Sequence, residues 1–567
     1  MLLVTLACMI ALAQAPTGII TGNLTDESGA VIPNASVTIT NKATGVVRNS
    51  TTNAGGLFSA PALPAGDYEV RAEVTGFRTV VRDATVQAGE TTTVNLPMTL
   101  GEAKQVVTVE AATAQINYDT NAVQGVIDRA AVQDLPLNGR SFMQLAVLEP
   151  GVTIASGSTA QFNALFTVSV LGAGNRTAYT VDGGNISDNI DTGGGTASMN
   201  FPQDVVQEFQ LSSVNFDLAT DISIGGAINI VTRSGSNDLH GSAYFYYRDH
   251  NMSAYPGLQR QTLAPDPFFA RRNPGFTIGG PIKKDRLFFF FNFEHLNQVQ
   301  ANITQPNTIL AQALAGVYNS PYSGSQISAR FDYRISTKHT LFARYSHDGN
   351  SGFGQVFSPQ ANPSNWVRNI NWADQSIIGL TSSLTPNIVN DARIQYMYWS
   401  NHNLLSLPSE CVEPACIGGG LPGLLSVLGT NIGFGGAEVG ANANAPQTRN
   451  TRRYEVNDAV NWQLGAHRIK FGGQIDRVPS VGQWGFCTPY CEGIFGPQQL
   501  NGALGFPKTL STTNDFWNSP FLSLSSASSP ASALEIRNSR PPIYAGTAPS
   551  KASTGSTYRT PGSLETT

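Results

Sequence analysis

Four cysteines and a knot of acidic residues are the side chains whose spacing could do chemistry. Cys411 and Cys416 form one pair, Cys487 and Cys491 another, both in stretches that read as long loops. The fifth cysteine, Cys8, lies in an apolar N-terminal run. An even count outside the cytoplasm argues for two local disulfides, with a metal site made by all four thiolates as the rival. Asp182, Asn185, Asp188 and Asp191 cluster in one Gly-rich loop. Oxygen ligands at that spacing could hold Ca²⁺, or Asp and Asn could simply shape the turn. No metal is assigned on this basis. There is no His-Glu-x-x-His, no His followed by x-x-Glu, no Gly-Lys dipeptide and no Gly-x-Ser-x-Gly. Zinc peptidase, Walker A and nucleophile-elbow chemistry are therefore unsupported. No catalytic residue and no cofactor is expected, and the chain does not read as an enzyme.

The elements around these residues are strands. Only 13% of residues are charged, against about 25% in a typical soluble protein. With 56 Gly and 32 Pro, that balance suits an extracytoplasmic β-protein, not a helical bundle. A net charge of −5 gives no reason to expect nucleic acid as partner. Residues 1–15 end in two Ala-x-Ala patterns, which reads as a secretory signal peptide that would remove Cys8. No later stretch is long and apolar enough for a spanning helix, so the mature chain either stays out of the bilayer or meets it as strands.

Residues 17–100 alternate apolar and polar with period two, as in Ile20, Gly22, Leu24 and in Tyr68, Val70, Ala72, Val74, with Val94, Leu96, Met98 and Leu100 closing the pattern. About seven short strands between turn signals predict a β-sandwich. Residues 101–110 are a linker carrying the β-prone run Val106, Val107, Thr108, Val109. Residues 111–235 mix signals. Asp128 to Asp134 predicts a short helix, and Asn138 a cap for a second helix through Leu148. Strands are expected at Ala178 to Val181, Glu208 to Val214 and Gly225 to Thr232, with Pro202 opening a short helix between the first two. This is a small α/β domain.

Residues 236–512 read as hairpins with alternating short and long connections, the habit of a membrane barrel. The short turns fall at Lys283-Lys284-Asp285, Ser336-Thr337-Lys338, Thr385-Pro386-Asn387 and Gly465-Ala466. One face of each strand would meet lipid and the other a wet lumen; in Arg330-Phe331-Asp332-Tyr333-Arg334 the charges fall on one face and the rings on the other. The runs Tyr244 to Tyr247 and Phe288 to Phe291 read as lipid-facing girdle or buried strand. Residues 513–567, rich in Ser, Thr, Pro and Ala, read as a disordered tail.

The motifs GNLTDESGAVIPNASVT, TNAGGLF and LPAGDYEV resemble the carboxypeptidase regulatory-like domain, a prealbumin-like, carbohydrate-binding-like sandwich. LPLNGRSFMQL at 135–145, YTVDGGN at 179–185 and GGAINIVTRSG at 225–235 resemble the plug of TonB-dependent outer-membrane receptors. The order sandwich, linker, plug resembles their Oar-like branch. The resemblance implies a mostly β fold: sandwich, α/β plug and antiparallel outer-membrane barrel. It implies an outer-membrane location with a periplasmic sandwich. It also implies uptake of an unidentified extracellular ligand, an oligosaccharide among the candidates, driven by the TonB energy-transducing complex. Val106, Val107, Thr108 and Val109 stand where that family carries its TonB box; an ordinary last strand of the sandwich is the other reading. A secreted or surface-attached binding or adhesion protein is the alternative function. About 22 strands are implied for such a barrel, roughly 550–660 residues at 25–30 per strand and connection. The nine to twelve strand candidates fall short of that, and the chain closes Leu564-Glu565-Thr566-Thr567 without a terminal aromatic. An incomplete barrel from a truncated reading frame is the expectation.

Overall fold

The structure is a computed structural model. It describes residues 17–101, 106–109, 123–137, 140–155, 167–172, 177–188, 197–214, 225–253, 268–304, 316–354, 363–407, 409, 424–427, 437–439, 442, 445–465, 467–485, 491–495 and 523–527. The expected signal peptide, Asn138, Asp191, Cys411, Cys416 and Cys487 lie outside them.

The sandwich comprises β1 (Gly18–Asp26), β2 (Ser36–Asn41), β3 (Val47–Thr51), β4 (Leu57–Leu63), β5 (Gly66–Glu73), β6 (Thr79–Val86), β7 (Thr91–Thr93) and β8 (Leu96–Met98). One sheet runs β4-β1-β7 with β8 also on β1; the other runs β3-β2-β5-β6 and continues to β9 (Val106–Val109). The period-two positions meet between the sheets, where Ile20, Leu24, Val37, Ile39, Val70, Leu96 and Met98 are buried in one core. Leu100 departs from the expected alternation: it is 71% exposed, because its backbone has left β8 and bridges to Phe77.

The α/β unit holds β10 (Val123–Ile127), α1 (Arg129–Asp134), β11 (Val152–Ala155), β12 (Thr167–Val170), β13 (Ala178–Val181), β14 (Gly184–Asn185), β15 (Val206–Val214) and β16 (Ala227–Thr232). Asp128 caps α1 by accepting from Ala131 N at 2.8 Å. The second expected helix is a 3₁₀ turn over Phe142–Leu148 that starts after Ser141 without a side-chain cap. A further 3₁₀ turn, Gln203–Val205, follows Pro202. The sheet order is β10-β15-β16-β13-β14. Its core of Phe142, Tyr179, Phe209 and Ile228 also takes in Phe290, Ala373, Met397 and Trp399 from the large sheet.

That large sheet is an antiparallel meander of β17 (His240–Asp249), β18 (Phe269–Lys283), β19 (Leu287–Thr304), β20 (Gly316–Arg334), β21 (His339–Gly354), β22 (Val367–Thr385) and β23 (Ile388–Leu405). Between β23 and the next wall strand, β24 (Leu424–Val427) and β25 (Ala437–Val439) peel away. The wall resumes with β26 (Gln447–Leu464), β27 (His467–Arg477) and β28 (Ser480–Trp484). It holds ten strands, within the range expected, and β17 and β27 end the path without pairing to each other, so the barrel sheet is unclosed. β29 (Cys491–Phe495) and β30 (Ser523–Ala527) complete a small sheet with β24 and β25. β30 falls in the segment read as a tail without strands.

Strands β18 to β23 extend well beyond their apolar cores. The added lengths, such as Tyr318 to Gly324, carry Asn, Ser, Pro and Gly on both faces, which erases the period-two signal. Pro321 is tolerated because β20 pairs with β21 only from Tyr322 onward, leaving Pro321 on an edge. The wall is apolar outside and polar inside. Along β22, Ile370, Trp372 and Ile378 are exposed, while Asn369, Asn371 and Gln375 are buried. The two aromatic runs divide accordingly. Phe245, Tyr246 and Tyr247 are exposed on edge strand β17, whereas Phe288 and Phe290 point inward and are buried.

Candidate functional site at the contact of plug and wall

The Asp182-Gly183 turn is the point where the α/β unit meets the wall. Asp182 has φ +49° and Gly183 φ +82°, and Val181 pairs directly with Gly184. Two positive-φ residues between paired strands make the tight turn that Asp-Gly favours. The turn's geometry aims Asp182 at the lumen face of β20 and β21. Its Oδ1 accepts from Thr232 N at 2.9 Å and from Arg330 Nη1 at 3.2 Å. Its Oδ2 accepts from Thr232 Oγ1 and Arg344 Nε, each at 2.7 Å. Arg393 donates to the Asp182 carbonyl. Arg344 is itself held by Ser346 Oγ at 2.7 Å and Gln375 Oε1 at 2.8 Å. Burial opposes ionisation of Asp182, but Arg330, Arg344 and Thr232 outweigh it and hold the carboxyl below its ordinary value.

Asn185, two residues past the turn, meets a second group of wall residues. Its N–H donates to Glu455 Oε2 at 2.9 Å, its carbonyl accepts from Gln395 Nε2 at 2.7 Å, and its side-chain oxygen accepts from Arg453. Between them, Gly184 lies close against a wall side chain: a Cβ there would lie 1.7 Å from Gln395 Oε1, so Gln395 would have to give way. Close approach, not φ, favours glycine here.

A second clamp lies at Arg140, which has φ +59°. Its guanidinium pairs with Asp204 of the plug and with Glu294 of β19, the latter at 3.3 Å. It also stacks over Tyr244 and Tyr246, 4.6 and 4.4 Å from their ring centroids. Tyr244 Oη donates to Glu294 Oε2 at 2.6 Å and Asn273 Nδ2 to Oε1 at 3.1 Å. Nearby, Asn200 N donates to Asp348 Oδ2 at 2.9 Å. These contacts make the seat of the plug polar and charge-paired, the kind of contact whose strength depends on every partner staying in place.

The sandwich touches both other parts. Asn237 N donates to Ala43 O at 2.9 Å and Asn53 Nδ2 to Gly465 O at 3.1 Å, so the sandwich sits at the short-turn end of the wall. Against the plug, Ala88 N donates to Glu208 Oε1 at 2.5 Å and Gln124 Nε2 to Gly89 O at 3.1 Å. Burial pushes the Glu208 carboxyl up to about 7, with Glu90 and Asp128 adding to the rise against the Ala88 hydrogen bond.

The residues singled out in the sequence are distributed unevenly. Asp182, Asn185 and Asp188 are all buried, and the Asp182 oxygens are committed to arginine and threonine donors. Val106, Val107, Thr108 and Val109 form β9, paired in parallel with Thr79 to Arg82 of β6. Cys491 begins β29 and registers opposite Leu424 and Ala527. Arg344, Arg393, Gln395, Arg453 and Glu455 were not singled out. Their signal is polar residues two apart on single strands, Asp391-x-Arg393-x-Gln395 and Arg453-x-Glu455-x-Asn457, which places each set on one lumen face.

A wall of long antiparallel strands, apolar outside and polar inside, gripping an α/β plug, defines a plugged outer-membrane barrel with an unclosed wall. A model described as an outer membrane beta barrel domain matches residues 231–323 and 304–544, more than half of the chain. A model of the carboxypeptidase regulatory-like domain matches residues 19–99. The chain belongs to the family of that outer membrane beta barrel domain. It is 30% identical over 331 residues to the TonB-dependent transporter Oar of Myxococcus xanthus, covering 51% of this chain and 29% of that protein. It is also similar to the outer membrane transporter YddB from Escherichia coli, with TM-score 0.47, 11% identity and coverage of 66% of this chain and 50% of that one. For the siderophore receptor PirA from Acinetobacter baumannii the values are TM-score 0.41, 16%, 64% and 48%. The chain thus spans less than a third of the curated relative and about half of these solved structures.

Proposed function

We propose that this chain acts in TonB-dependent uptake of an extracellular ligand across the outer membrane. The sandwich lies in the periplasm in this reading, because it contacts the short turns and such turns face the periplasm in outer-membrane barrels. TonB engages the Val106–Val109 strand, and the plug shifts against the wall to admit the ligand. The observation that carries the reading is the plug seat. The Asp182 carboxylate and the Asn185 backbone are held by wall side chains through hydrogen bonds and ion pairs. Such contacts can be exchanged for water when the plug moves, although the shift must also part Phe290, Ala373, Met397 and Trp399 from the plug core they share. An oligosaccharide remains a candidate ligand on the strength of the carbohydrate-binding-like sandwich. Cell fractionation combined with uptake assays tests the proposal. Expressed in a Gram-negative host, the chain fractionates with outer membranes and binds the purified TonB C-terminal domain. Release by salt or recovery in the medium would instead favour a secreted adhesion protein.

A further inference from the structure

We infer that the sandwich presents the Val106–Val109 strand to TonB in place, so that the TonB strand adds to its outer edge and becomes the next strand of the sandwich sheet. This rests on the assignment of that strand under the proposed function. The register is Thr79 with Val106, Val80 with Val107, Val81 with Thr108 and Arg82 with Val109, all parallel. The sheet path β3-β2-β5-β6-β9 ends there, and among the described residues no strand pairs with the far side of β9. Successive residues of a strand direct their N–H and C=O groups to opposite neighbours. β6 therefore satisfies one set, and the other faces outward as an edge template. Unpaired backbone donors and acceptors in an extended Val-Val-Thr-Val run are what a second chain's edge strand completes. The ordering entropy of those residues is already spent on β6, so addition to the outer edge begins from a preorganised strand. Capture after release would first break the β6 ladder and then order the strand again.

The placement also supplies a route for force. β6 runs on from the strand pair into the turn Gln87 to Glu90. There Ala88 N donates to Glu208 Oε1 and Gly89 O accepts from Gln124 Nε2, both side chains of the plug sheet. Glu90 O in turn accepts from Ile19 N of β1 at 2.9 Å. β9 is thus connected to β15 and β10 through one strand and one turn.

The test uses the full chain in outer-membrane vesicles carrying Val81→Cys and Thr108→Cys, which face each other across the β6–β9 pair. The purified TonB C-terminal domain is the probe. The expected result is efficient cross-linking in the free receptor and a TonB affinity that changes less than about threefold between oxidised and reduced forms. Failure of the pair to cross-link, or a tenfold or greater loss of affinity on oxidation, overturns presentation in place. The double variant Val107→Pro/Thr108→Pro, which removes an N–H from each edge of the strand, separates the two levels. Lost binding in that variant keeps the TonB assignment even when oxidation also abolishes binding. Undiminished binding in the double variant overturns the assignment itself.

Discussion

Asp182 Oδ2 and Arg344 Nε meet at 2.7 Å across the boundary between plug and wall, although 162 positions separate them in the chain. Both side chains are almost wholly buried, at 3% and 0% exposure. Removing one member of a buried pair leaves an uncompensated charge and costs about 3–5 kcal/mol. Arg344→Ala is therefore expected to loosen the plug without unfolding the wall. The measurement is hydrogen exchange at the Thr232 amide, which donates to Asp182 Oδ1. Exchange should accelerate by about two orders of magnitude or more. An unchanged rate would show that Arg330 alone holds the turn.

Gly184→Ala places a methyl group on Gln395 Oε1. That oxygen is the end of a flexible chain, but its own amide is held by Asn185 O and Glu455 Oε2. The side chain can yield only by giving up those bonds, at about 1–3 kcal/mol for each group left unsatisfied. Gly184→Ala should raise protease sensitivity of the plug, and adding Gln395→Ala should restore much of the resistance. A double variant no better than the single one would place the clash elsewhere.

The sandwich and the plug meet through an acid whose pKa is raised, and the sign follows from that. Docked, Glu208 titrates near 7, above its ordinary value of about 4.3 in the free form. Docking is therefore fully favourable below about pH 4 and weakens as pH rises through 7. Two to three units correspond to roughly 3–4 kcal/mol, an upper bound on the docking share because Asp128 of the plug itself adds to the rise. Glu208→Gln should flatten the profile. Hydrogen exchange at the Ala88 amide, which donates to Glu208 Oε1, reads it out across pH 4.5–8.5 once intrinsic rates are divided out, with protection lost at high pH in the parent only.

How much of this was legible in the sequence depends on range. The sandwich was readable because its alternation is local, and Ile20, Val37, Val70 and Leu96 fall where period two puts them. The plug's turns were readable because Asp182-Gly183 carries its own φ preference. The clamp was not, since Arg344, Arg393 and Arg453 acquire their meaning only once three strands are set side by side. The helix expected through Leu148, which is 3₁₀ over Phe142–Leu148, has bulky Phe142, Met143 and Leu145 all buried in the plug core. Tertiary packing overrode the α-helical signal there.

Exposed residues on the wall also mark how far lipid should reach. On β22 the outward positions run Leu384, Leu380, Ile378, Ser376 and then Asp374, whose carboxylate accepts from Tyr345 Oη at 2.7 Å and Trp372 Nε1 at 2.6 Å. From Leu384 to Asp374 is ten residues, about 23 Å of membrane normal at 3.3 Å per residue and 45° tilt. That matches an apolar band of about 25 Å bounded by an aromatic girdle. Ile378 lies inside this band and is 52% exposed, whereas Ile370 lies beyond Asp374 and is 38% exposed. Ile378→Arg should cost about 2–4 kcal/mol and Ile370→Arg about 0–1. Outer-membrane yield of each variant, scored by surface protease accessibility, separates the two depths. Equal tolerance of both substitutions would mean that this face of the sheet does not meet lipid.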